Sequence, residues 1–201
     1  MILYSGARTA VAERWVPADQ EPADEPARHS GALLVGTDRS RWNLSYRPYS
    51  RADRTLVFEM LPMIGQLYPG GVGWLNRKLN DVEDGRARCT LVQLGRWPAG
   101  LAIETPKGQR HVKLSTLVVP TAFRGKGVGT GLVSWLCAKW LSDDIETTHL
   151  TMPLAAANSV KPVFLACGFQ DTAVCRDRYG NDRHELVMSW SPQQRTVTNS
   201  R

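Results

Sequence analysis

Three glycines and two cations fall within six residues, Arg124-Gly125-Lys126-Gly127-Val128-Gly129, directly behind the apolar run Leu114 to Val119 and Pro120 and directly ahead of a helical pattern. Glycine has no Cβ, so the main-chain N–H groups of such a turn, and of the first helical turn behind it, can come close to a phosphate. The helix dipole favours the negative charge at the same place. The chemistry implied is the binding of a phosphorylated ligand. The segment is not a nucleotide P-loop, which needs G-x-x-x-x-G-K-[ST], nor a Rossmann turn, which needs G-x-G-x-x-G and an acid about 20 residues on. It spells R-x-x-G-x-G, from Arg124 through Gly127 to Gly129.

The elements that must position this turn read as one domain. The chain has 201 residues, enough for one domain with a sizeable core, or one domain plus tails. Residues 1–41 form an N-terminal arm with a Pro/Ala-rich acidic linker, and residues 191–201 a polar tail. Between them, Asn43 to Tyr49 alternates as a strand, with Pro48 placing it at an edge. Leu56 to Leu67 repeats at helical spacing, with a kink expected at Pro62, and Trp74 to Val82 marks a second helix ended by Gly85. Strands follow at 88–94 and 99–104, joined by a hairpin over 95–98, and then comes the strand that feeds the glycine turn. Beyond the turn, Val128, Leu132, Leu136 and Trp140 share one helical face. A strand at 149–152, a helix at 158–166 and strands at 172–176 and 184–190 complete the order β-α-α-β-β-β-α-β-α-β-β.

That order, together with R-x-x-G-x-G behind a strand ending V-V-P, resembles the GNAT superfamily of acyl-CoA-dependent N-acetyltransferases. Tyr46-Arg47-Pro48 is similar to that family's opening strand, and Asn158 with Gly168-Phe169 to its closing N…GF signature. The resemblance covers roughly 43–190. It implies an α/β (α+β, three-layer) fold: a mixed, mostly antiparallel central sheet with a splayed strand pair and helices on both faces. It further implies acetyl-CoA as acyl donor and transfer of its acetyl group to an amine by direct attack. On this resemblance the main chain of Leu117, Val118 and Val119 pairs with the pantetheine arm. The amides from Gly125 through Lys126, Gly127, Val128 and Gly129 to Thr130 hold the pyrophosphate, with added charge from Arg124 and Lys126 and a further contact from Asn158.

Two departures concern the catalytic groups. Where many members carry a tyrosine acid, four residues before the closing Gly-Phe, this chain has Phe164, and its neighbours Leu165 and Ala166 are equally inert. Where histone-type members carry a glutamate base, eleven residues before the motif, it has Lys113, which is protonated at neutral pH unless burial lowers its pKa. Lys113 also suits binding of an anionic acceptor. His111, two residues earlier on the same strand face, is of a residue type suited to proton transfer, and Ser115 lies two residues later. His111, Lys113 and Ser115 are therefore the candidate catalytic residues, with Glu104 and His149 behind them.

The 25 basic against 19 acidic residues give a net charge of +6, compatible with an acidic partner or with plain solubility. The acceptor implied by the resemblance is a small-molecule amine or a protein amino group. The alternatives are an amine carried on RNA, such as aminoacyl-tRNA, approached by Arg86, Arg88, Arg96, Lys107 and Arg110, or a non-catalytic CoA- or nucleic-acid-binding module. A homodimer is compatible with the chain. No membrane partner and no metal are expected: there is no apolar run of transmembrane length, no signal-peptide pattern and no C-x-x-C pair among the four cysteines. The expected location is cytoplasmic, with four buried thiols and with Trp135 and Trp140 in the helix core.

Overall fold

A computed structural model describes residues 43–178 and 180–192. The expected arm over 1–41 and the tail from 193 onward lie outside the described residues. Seven strands form one sheet in the order β1-β2-β3-β4-β5-β7-β6: β1 (Leu44–Pro48), β2 (Arg88–Leu94), β3 (Trp97–Pro106), β4 (His111–Val118), β5 (Thr147–Pro153), β6 (Gln170–Cys175) and β7 (Glu185–Trp190). Every neighbouring pair is antiparallel except β4 and β5. β1 is an edge strand, as Pro48 requires.

The helices divide between the two faces. On one lie α1 (Arg54–Met60), α2 (Ile64–Leu67) and α3 (Gly71–Glu83). The single kinked helix expected over 56–67 is two short helices, because Pro62 has no N–H to continue the ladder and the chain leaves helical geometry at Leu61. Arg47 fixes the start of this layer: its guanidinium donates at 2.7 and 2.8 Å to both oxygens of Asp53, which also accepts from the Ser50 amide. Val57, Ile64, Leu75 and Leu79 pack against Leu91, Leu101, Ile103 and Val118 of the sheet.

On the other face lie α4 (Val128–Ser142) and α5 (Ala157–Leu165). Val128, Leu132, Leu136 and Trp140 of α4 are all buried, as their spacing predicts, and meet Leu114, Leu150, Met188 and Trp190. Trp140 is fully buried, edge-on to Phe169 at 6.1 Å and 5.4 Å from Trp190, and its indole N–H donates to Glu104 at 2.6 Å. Trp135 stacks on Tyr46 at 5.0 Å. This contact needs α4 close to β1, which Gly131 permits, since a Cβ there would stand 2.9 Å from Leu44 Cδ1. Both tryptophans are thus packing residues, as expected. Cys89, Cys137 and Cys167 are buried free thiols, whereas Cys175 on the edge strand β6 is only half-buried. No helix among the described residues is long and apolar enough to cross a membrane.

Two irregularities of β4 position the site. Its pairing with β5 runs from His111–Thr147 to Leu114–Leu150 and stops there, although β4 continues to Val118 and β5 to Pro153. The two strands splay beyond that point, as the resemblance implied. On its other side β4 carries a bulge: Leu114 pairs with Glu104 and Thr116 with Ile103, leaving Ser115 as the extra residue. The alternation of β4 reverses across it. Val112 and Leu114 face α4, and so does Leu117, whereas Val118 faces the α1–α3 layer.

Candidate functional site

The turn after β4 gives the first half of the site. A short 3-10 turn, Thr121–Phe123, leads into Arg124, and Gly125 and Gly127 then adopt left-handed φ values of 70° and 77°. Other residues adopt such values only at a cost, so these two glycines set the path of the loop. Gly127 caps α4, and the first helical hydrogen bond is donated by Gly131 N–H to the Gly127 carbonyl at 2.8 Å. The amides of Val128, Gly129 and Thr130 therefore have no carbonyl of their own helix four residues earlier to donate to, and they point out of its positive end. Arg124 is tied to the turn by its Nε–H, which donates to Val119 O at 3.0 Å, and the Lys126 ammonium lies 5.9 Å from the Phe123 ring centre.

Above these amides opens a cleft of about 400 Å³. Of the expected coenzyme-binding residues, Leu117, Val119, Arg124, Gly125, Gly127, Val128, Gly129 and Thr130 line it. Val118, Lys126 and Asn158 do not: Val118 is buried on the far face because of the bulge, and Asn158 is exposed at the second position of α5. Ser159, Val160, Val163 and Phe164 supply the opposite wall. The sequence reading did not include Ser159 or the valines, although the helical spacing from Asn158 put them within reach. Phe164 is fully buried there and packs edge-on to Phe169, so the wall offers no phenol.

The expected catalytic residues lie across β4 from this cleft. His111, Lys113 and Ser115 are on the α1–α3 face, and Lys113 and Ser115 line a second cleft of about 520 Å³ under the α2–α3 turn, with Tyr68, Trp74, Arg77, Lys78, Thr105 and Lys107. Ser115 is held by a 2.8 Å hydrogen bond with the Thr105 hydroxyl. Burial, then the positive charges of Arg178 and Lys107, lower the Lys113 pKa, while Glu185 opposes the shift.

His111 and His149 stand together, with Nε2 of the first 2.7 Å from Nδ1 of the second. Burial, and then the neighbouring His111 and Lys113, push the His149 pKa down to about 4. Between about pH 4 and 6.5 the unfolded chain therefore binds more protons than the folded one, so stability falls as the pH drops through that window. Because the ring is part exposed, a loss of roughly 1–2 kcal/mol is expected. Urea midpoints measured from pH 7 to 4 should show it, and His149→Gln should flatten that part of the profile.

One residue absent from the sequence reading joins this face. Glu185 opens β7 opposite Pro153, at the level where β4 and β5 have parted, and only 3% of it is exposed. Its strand alternates, with Leu186, Met188 and Trp190 in the core under α4, so Glu185 faces the side that carries Lys113. Burial raises its pKa, with nearby Thr151, Arg178 and Lys113 pulling the other way. The signal in the sequence was a lone acid within the apolar strand HELVMSW. Glu104, by contrast, is fully buried in an ion pair with Arg88 at 3.3 Å and the Trp140 hydrogen bond, away from both clefts.

The arginines expected to approach RNA are largely neutralised. Arg86 pairs with Asp81 and Asp84, Arg88 with Glu104 and Asp143, and Arg110 with Glu146, while Arg96 covers Trp97. Of that group Lys107 lines the second of the two clefts described, and the arginines line neither.

No protein-family model matches the sequence, and no curated protein matches it. Solved structures do match in shape. A spermidine N-acetyltransferase from Vibrio cholerae in complex with CoA and spermine superposes with a TM-score of 0.63 at 13% identity, over 75% of this chain and 96% of that one. An acetyltransferase from Bacillus subtilis in complex with CoA gives 0.60 at 15% identity, over 74% and 99%. A GNAT family acetyltransferase from Elizabethkingia anophelis with acetyl-CoA bound gives 0.61 at 10% identity, over 77% and 99%. The likeness is one of architecture, extending over nearly the whole of each neighbour, and in architecture this chain has the GNAT acetyltransferase fold.

Proposed function

We propose that the protein transfers an acetyl group from acetyl-CoA to an amine. The observation that carries the reading is the coincidence, on one strand, of the splay beyond Leu114–Leu150 with the amide-lined cleft at that strand's end. The residues fit the coenzyme: free strand edge for the pantetheine amides, and a left-handed glycine turn at a helix N-terminus for the pyrophosphate. Fold neighbours that hold CoA or acetyl-CoA support the same assignment. Acetyl-CoA supplies a thioester already activated for acyl transfer.

The chain's own residues then divide the work. Amides from Gly125 to Thr130, with Arg124, bind the diphosphate, while Leu117 and Val119 exclude water from the arm. Lys126 adds charge at the rim, and Val118 contributes main chain alone. The amine attacks from the Lys113 face, a C–N bond forms as the C–S bond breaks, and the ammonium proton must leave. Glu185 receives it, directly or through a water, since a carboxylate with a raised pKa is a stronger base than an exposed one. Lys113, the His111–His149 pair and Ser115 bind and orient the acceptor. With Phe164 in place of a phenol, water protonates the thiolate, whose leaving ability is already fair at a thiol pKa near 8.5.

Calorimetry of the full chain with acetyl-CoA should give one site per chain with a Kd in the micromolar range, about −8 kcal/mol. Release of CoA thiol should follow on adding a suitable amine. Absence of binding to folded protein would remove the proposal. Binding without thiol release across all amine classes would leave a coenzyme-binding module.

A further inference from the structure

The acceptor-side cleft has a charge that selects among amines. Its walls carry Arg77, Lys78, Lys107 and Lys113 and no carboxylate. Lys78 is paired with Asp81 at 3.0 Å, but Arg77, Lys107 and Lys113 have no carboxylate oxygen within 4 Å among the described residues. Arg77 and Lys107 are exposed at the mouth, and Lys113 is half-buried at the floor, where burial first, and then the positive charges of Arg178 and Lys107, lower its pKa against the pull of Glu185. Cations gathered around a concavity that outnumber the carboxylates near them raise each other's energy, and an anion entering the cleft relieves that. The volume, about 520 Å³, is that of a small-molecule site.

We infer that the acceptor is a small amine that also carries an anionic group, a carboxylate or a phosphate, held by Arg77, Lys107 and Lys113 while its amino group reaches toward Glu185. The inference rests on the acetyl-transfer reading for the chemistry, but the charge selection can be tested without it. Polycationic amines such as spermidine meet like charge at Arg77, Lys107 and Lys113 and should be poor substrates. The half-buried Trp74 offers a face for an apolar portion of the acceptor.

Matched pairs test this on the full chain. Tyramine and L-tyrosine differ by a carboxylate, ethanolamine and phosphoethanolamine by a phosphate, and spermidine is the polycation. In thiol-release assays the anionic member of at least one pair should have kcat/KM about tenfold or more above its partner, with spermidine below both. Arg77→Gln and Lys107→Gln should each raise KM for that anionic amine about tenfold while leaving its kcat and the acetyl-CoA affinity unchanged. Equal or better use of the members that lack the anionic group, or of spermidine, overturns the inference, as does an unmoved KM in both variants. If no acetyl-CoA binds, the acetyl-transfer reading fails separately. Equilibrium binding of the same pairs to the unliganded protein then decides the charge question, and no preference for the anionic member rejects it.

Discussion

Gly127→Glu should weaken acetyl-CoA binding at least a hundredfold, about 2.7 kcal/mol or more. Gly127 caps α4 at the mouth of the cleft proposed for the coenzyme, and its φ of 77° turns the amides of the next three residues outward. A glutamate there places a carboxylate where the diphosphate is to bind, and the two repel at short range with little water between them. The substitution is tolerable for the fold, because nothing lies within 4 Å of the position its Cβ would take. The strain of a left-handed residue costs about 1–2 kcal/mol, which a well-packed domain survives. Gly127→Asn separates strain from charge: asparagine accepts the left-handed region and brings no charge, so it should hold affinity within about tenfold. Calorimetry against acetyl-CoA, with urea unfolding to verify the fold, checks both. Equal losses in the two variants would mean that the turn does not carry the diphosphate.

Glu185→Gln should lower kcat by a hundredfold to ten-thousandfold, the usual worth of a positioned base, with KM for acetyl-CoA unchanged. The pH profile supplies the sharper reading. On the proposed acetyl-transfer reading, kcat of the wild-type protein should rise with pH through a limb lying above the ordinary carboxylate range, because burial raises the Glu185 pKa. The glutamine variant should lose that limb and keep only the one set by the acceptor amine. Stability should move the opposite way. A carboxyl whose folded pKa exceeds its unfolded value costs the folded state free energy as the pH rises past both, so at pH 7 the neutral glutamine relieves that cost. The melting temperature should rise, by roughly 2–4 °C per kcal/mol released in a domain of this size. A variant that is both less stable and fully active would assign Glu185 a purely structural role.

The order of elements was legible in the sequence because it depends on local signals. Pro48 marked the edge strand, Gly85 ended a helix, and the apolar spacing from Val128 to Trp140 identified the buried face of α4. The glycine turn was legible for the same reason: glycine at a left-handed position is a backbone requirement that leaves its trace in one residue. What escaped was set by partners distant in sequence. The bulge at Ser115 exists only against Glu104 and Ile103 of β3, and nothing in LSTLVV announces it. Glu185 is 72 residues from Lys113 and acquires its environment only when β7 inserts beside β5. The arginines counted toward RNA looked available because sequence does not show that Asp81, Asp143 and Glu146 fold against them.

The single extra residue in β4 has a kinetic corollary. By turning the strand's side chains over between Leu114 and Leu117, it gives the two clefts separate doors on opposite sides of one thin partition, one for the proposed donor and one for the proposed acceptor. On the proposed reading neither guest has to depart before the other arrives, so the two should load in either order and meet as a three-membered assembly. Double-reciprocal plots at several fixed concentrations of the second substrate should then converge rather than run parallel.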